Sequence, residues 1–66
     1  MKLAGKVWDT LSRGDREQLL AHCLSLKSVQ IKKYESGLRW NELMPVTQDD
    51  LLKVDFSVVL GRDVQP

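Results

Sequence analysis

Apolar residues in this chain never run for more than three positions, and they recur three and four apart. That spacing gathers them on one side of a helix, which turns once in about 3.6 residues. Leu3, Val7, Trp8 and Leu11 make one stripe, and Leu19, Leu20, Cys23 and Leu24 make a second. Val29, Ile31 and Tyr34 make a third, and Trp40, Leu43 and Met44 a shorter fourth. The pattern predicts an all-α chain of four or five short helices.

Length and punctuation refine this. Sixty-six residues allow one domain at most, and a domain this small buries only roughly 60% of the surface its unfolded chain exposes. Gly5 lies inside the first stripe, and residues 12–14 read as a break. Asp15 is the expected cap of the second helix, with Gln18 as its capping-box partner. Ala21 is the small residue on that helix, residues 25–27 form a tight turn, and Ser28 caps the third helix. Gly37 is the expected left-handed C-cap and Pro45 a stop. Thr47 is the expected cap of a last helix, with Asp49 and Asp50 in its first turn. Residues 54–60 fit a helical stripe or an alternating strand, and the Thr47 start favours helix. Gly61 ends it. The domain is read as residues 1–61, with 62–66 as a tail.

One echo runs through the chain. Trp8, Leu11, Leu19 and Leu20 are spaced as Trp40, Leu43, Leu51 and Leu52 are. Two copies do not make a solenoid, so the echo reads as two similar helix-break-helix corners, each with a tryptophan in the core.

Several function classes fall away. No segment approaches the roughly 20 apolar residues of a membrane span, and the first six residues lack the apolar stretch of a secretory leader. The expectation is a cytoplasmic protein with no membrane partner. Cys23 is the one cysteine, so no intrachain disulfide forms, and Cys23 with His22 does not make a zinc site. Neighbouring helical residues point about 100° apart, so His22 and Cys23 do not face each other as a base and nucleophile. No catalytic constellation and no cofactor site emerges.

What remains is a local charge pattern. Net charge is only +1, but Lys27, Lys32, Lys33 and Arg39 cluster in the middle, while Asp49, Asp50, Asp55 and Asp63 lie toward the end. Such a lysine cluster can be a plain solvated helix face. Residues 17–36 give it a frame. A helix-turn-helix needs apolar residues where two short helices cross, a small residue at the crossing, and a short turn. Leu20 and Ala21, then Leu24 and Leu26, then Ile31 and Tyr34 meet that need in order. Ser28, Gln30, Lys32 and Lys33 are then left on the outside, where a second helix would meet a major groove. Gln30 can pair with adenine and lysine with guanine. Base readout is assigned to Ser28, Gln30 and Lys33, and phosphate contact to Lys27, Lys32 and Arg39.

Residues 24–37, and most specifically Gln30-Ile31-Lys32-Lys33-Tyr34-Glu35-Ser36-Gly37, resemble the Cro/CI-type (XRE) helix-turn-helix family. The resemblance implies a lambda-repressor-like domain that binds operator DNA as a homodimer. By position it implies that Lys27, Ser28, Val29, Gln30 and Lys33 face double-stranded DNA. It also implies that Glu35 is structural, held by a cation such as Lys6 or Arg13. The expected function is a small, repressor-like transcriptional regulator, with Phe56, Val58, Val59 and Leu60 as the candidate dimer surface. The alternative is a small helical module (inhibitor, antirepressor or antitoxin-like) that binds a protein partner and not DNA.

Overall fold

The computed structural model describes residues 3–23 and 29–65, with Val29 described by its backbone alone. Helices α1 (Ala4–Thr10), α2 (Arg13–Leu20) and α3 (Val29–Glu35) come first. A single 3-10 turn (Trp40–Glu42), α4 (Pro45–Leu52) and α5 (Phe56–Leu60) follow. The fold is all-α, and the described residues contain no strand. The ambiguous last segment is helical: Asp55 caps α5 by accepting from Val58 N at 3.3 Å, and Gly61 closes it in the left-handed region at φ 69°. No helix of the described residues is long and apolar enough to cross a membrane.

Most of the core comes from the expected stripes, while Leu3, Ile31, Tyr34 and Met44 of those stripes are exposed. Ala4, Val7, Trp8, Leu19, Leu20, Cys23, Leu43, Leu51 and Phe56 are buried, and Trp40 packs half-buried against them. The two tryptophans meet edge to face, with ring centroids 6.4 Å apart and planes at 63°. Gly5 explains how α1 comes so close to the 3-10 turn. A Cβ placed there would lie 2.8 Å from Trp40 Cδ1, closer than real contacts allow. The glycine costs helix propensity, about 1 kcal/mol against alanine, and makes room for the indole.

The echo in the sequence is an echo in bonding. Trp8 and Trp40 stand thirty-two positions apart, and each is followed five residues later by the start of an eight-residue helix. Leu11 N donates to Trp8 O at 3.1 Å, and Leu43 N donates to Trp40 O at 3.1 Å. Arg16 N donates to Ser12 O, as Gln48 N does to Met44 O, both at 3.0 Å. Even a side-chain bond recurs: Arg16 Nε reaches Trp8 O at 3.0 Å, and Gln48 Nε2 reaches Trp40 O at 2.7 Å. The two units are equivalent corners, as the spacing predicts, and their tryptophans touch each other.

The punctuation differs from expectation in six places, one of them the break at residues 53–55 that divides the expected last helix into α4 and α5. Ser12, not Asp15, caps α2: its hydroxyl accepts from Asp15 N at 3.2 Å, and Arg13 and Gly14 belong to the helix. Pro45 opens α4 instead of ending a segment, because a residue without an N–H loses nothing in a first turn. Thr47 therefore lies inside α4, fully buried, and Asp49 and Asp50 fall past its first turn. Gly37 is not left-handed, since Gly61 is the one positive-φ residue among those described. Lastly, α2 ends at Leu20, so Ala21 is its exposed C-cap and not a residue within the helix.

Two surfaces also change character. Phe56 is fully buried and Val59 and Leu60 pack against the core, so of the candidate dimer surface only Val58 stands out, at 75% exposure. The segment after Gly61 is docked. Val64 is buried, its N–H donates to Ser57 Oγ at 3.3 Å, and Arg62 pairs with Asp15 at the start of α2.

Candidate nucleic-acid interface

Helix α3 is held by its C-terminal end. Two arginines of α2 meet that end, Arg13 at a carbonyl of α3 itself and Arg16 at carbonyls just past it. Arg13 Nη2 donates to Lys33 O at 3.2 Å, and Arg13 Nε to Ser36 Oγ at 3.3 Å. Arg16 Nη1 lies 3.4 Å from Ser36 O and 3.2 Å from Leu38 O, while its Nε holds Trp8 O. The Arg16 guanidinium also sits 5.3 Å from the Trp8 ring centroid, within cation–π range. Ser36 Oγ donates to Lys33 O at 2.7 Å, and Trp8 Nε1 donates to Leu38 O at 2.9 Å. Cations at the negative end of a helix are favourable in themselves. Here they also fasten α3 to α1 and α2.

This clamp replaces the expected one. Ile31 and Tyr34 were to pin α3 across α2, but they are 42% and 68% exposed, while Glu35 and Ser36 are buried. Glu35 is structural in the sense of being enclosed, yet Arg13 is engaged with Ser36 and Lys33, and Lys6 is exposed at the surface. Glu35 Oε2 finds no hydrogen-bond partner among the described residues. Where the polar C-terminal end of the helix turns inward, guanidinium donors meet Lys33 O and Ser36. Spacing within α3 alone carries no sign of that.

The site residues read from the sequence divide as follows. Gln30 and Lys33 are exposed on α3, and Lys32 is half-buried beside them. Arg39 is exposed on another element, at the start of the 3-10 turn, where its N–H donates to Glu42 Oε1 at 2.9 Å. Lys27 and Ser28 lie outside the described residues, as do Leu24, the 25–27 turn and the Val29 side chain. Sequence reasoning named Arg13, as a partner for Glu35, but missed Arg16 and the contacts by which both arginines hold the end of α3. Their separation by three places them on neighbouring parts of α2, which was the only signal available.

Charge around α3 is mixed. Its one carboxylate, Glu35, is buried, so its own exposed surface carries cations and no anion. Across the groove between α2 and α3, however, Glu17 and Ala21 face Lys32 and Lys33. Glu17 also lies 3.9 Å from Arg13, an exposed pair of little energetic weight. Arg62 beside Asp15 holds that carboxyl below its usual range, chiefly by hydrogen bonding. Burial, with repulsion from Asp50 and Glu35, pushes the Cys23 thiol up to about 11, which leaves it an inert core residue. Among the described residues no group of three or more His, Cys, Asp or Glu is placed to hold a metal ion.

No family model, no curated protein and no solved structure matches the chain.

Proposed function

We propose that this chain is a small DNA-binding regulator that presents α3 to a major groove. The observation that carries the reading is the asymmetry of α3: Gln30 and Lys33 are exposed, while its only carboxylate is buried. An amide and an ammonium on one helix face are the groups that pair with adenine and guanine edges. The arginine clamp supports the same reading, because it fixes the helix from behind without using those side chains. In this proposal Lys32 and Arg39, with Lys27 from the preceding segment, neutralise phosphates, and Ser28 joins Gln30 and Lys33 at the bases. The protein acts in the cytoplasm as a homodimer on a two-fold-symmetric site.

A gel shift on random-sequence duplex at low salt tests the proposal directly. Retardation that fades as salt rises is expected, because bound phosphates release counterions. No retardation at low salt overturns the reading. Selection from a random duplex pool then gives the site. On the selected duplex Lys33→Ala should weaken binding by about 1–3 kcal/mol. An equal loss on random duplex would make Lys33 a phosphate contact.

One observation favours a second reading. The groove beside α3 is lined by Glu17 as well as by Lys32 and Lys33, and a mixed-charge groove suits a protein segment better than a phosphate chain. A helical inhibitor or antirepressor would use it. Such a protein should give no gel shift at any salt concentration.

A further inference from the structure

Ile31 and Tyr34 lie three residues apart on α3, so they share a face. They are 42% and 68% exposed. Gln30 and Lys33 are exposed beside them, each adjacent in sequence to one of the pair. At about 100° per residue the exposed face of α3 runs in the order Lys33, Gln30, Tyr34, Ile31, so an ammonium and an amide lie to one side of two apolar groups. Polar readout of bases accounts for Gln30 and Lys33 and gives no reason for an isoleucine and a tyrosine in the same plane. We infer that the Ile31–Tyr34 edge reads the 5-methyl group of thymine, an inference that rests on the DNA-binding reading above.

The occupant follows from charge and from the chemistry of the groove. The patch carries Lys33, and the one acid of the helix is turned inward. Its complement is therefore an anionic surface that nonetheless offers apolar groups. In a duplex major groove every base pair presents donors and acceptors, but the methyl of thymine is the one apolar group. Ile31 supplies an aliphatic contact, and Tyr34 supplies a ring with a hydroxyl left for solvent or phosphate. Gln30 on the same face suits the adenine of the same pair or its neighbour. The patch as a whole selects A·T pairs for their thymine methyl as well as for their hydrogen-bonding edge.

The test uses a duplex that the full chain itself enriches from a random pool, and a copy of it with deoxyuridine in place of thymidine. The two differ only in methyl groups. Titration followed by fluorescence anisotropy should show weaker binding to the uracil copy, by roughly fourfold for each contacted methyl. Ile31→Ser and Tyr34→Ser change exposed side chains, and circular dichroism confirms that they stay folded. Each should shrink the thymine–uracil difference while Lys33→Ala leaves it in place. Equal binding of thymine and uracil copies overturns the inference and leaves the DNA-binding reading standing. Enriched duplexes poor in A·T pairs overturn it as well. Failure to enrich or bind any duplex overturns both together.

Discussion

The corner Trp8–Leu20 and the corner Trp40–Leu52 share a sequence pattern and a bonding pattern, yet they serve different ends. In the first, position 16 is an arginine that holds Trp8 O, stacks on the Trp8 ring and continues to Ser36 O and Leu38 O. In the second, the equivalent Gln48 makes the bond to Trp40 O. Among the described residues the Gln48 amide bonds Trp40 O alone, whereas the forked guanidinium of Arg16 reaches Trp8 O, Ser36 O and Leu38 O together. The first corner therefore organises α3 as well as itself. Position 15 diverges too. Asp15 is paired with Arg62 near the surface, while its counterpart Thr47 is fully buried with Oγ1 unpartnered among the described residues. A repeated backbone corner fixes where side chains begin, and the identity of each side chain decides what it reaches.

This comparison is most exposed to failure at the tryptophans. Trp8 is fully buried and Trp40 only in part. Trp8→Ala should cost about 3–5 kcal/mol, enough to unfold a domain of this size, and Trp40→Ala distinctly less. Equal losses in chemical denaturation would remove the distinction between the corners.

Gly5→Ala tests how they meet. Alanine should gain about 1 kcal/mol in helix propensity, but its Cβ collides with the Trp40 ring. A net loss of about 1–3 kcal/mol is expected. Trp40→Leu in the same chain should recover part of that loss, a coupling that a double-mutant cycle reads directly.

Arg16→Gln makes the first corner resemble the second. The bond to Trp8 O can survive, while those to Ser36 O and Leu38 O are lost, at about 1–2 kcal/mol. Hydrogen exchange should quicken at the C-terminal end of α3 more than in α4. Uniform acceleration would show that Arg16 does not act on α3.

The smallest effects belong to position 15 and its counterpart. Thr47→Val removes an unpartnered hydroxyl and should be neutral or stabilising by up to about 1 kcal/mol. Asp15 works through pH. Its carboxyl is held low in the folded chain, so its contribution is present at neutral pH and fades as pH falls through the folded-state value. Arg62→Ala should return Asp15 toward the ordinary carboxylate range in an NMR titration, with a shallower acid-side loss of stability.

Helical spacing, the breaks near residues 12 and 44, and the correspondence of the two corners were legible in the amino-acid sequence, because periodicity and local turn chemistry act over a few residues. Which face of α3 turns inward was not. Ile31 and Tyr34 satisfied the apolar rule, and Glu35 and Ser36 were buried instead. Thr47 was similarly misplaced, because Met44 and Pro45 offer a helix start that is as good locally. The donors that meet the end of α3 come from Arg13 and Arg16, residues twenty or more positions away. An unpaired helix end costs free energy wherever it is buried, and only the assembled chain shows which distant groups relieve it. The sequence by itself determined the helices, the two tryptophan corners and the outward side of Gln30 and Lys33; tertiary structure alone decided that polar groups clamp the end of α3 and that Ile31 and Tyr34 stand outward as well, because the arginines at that end lie twenty or more positions away in the chain.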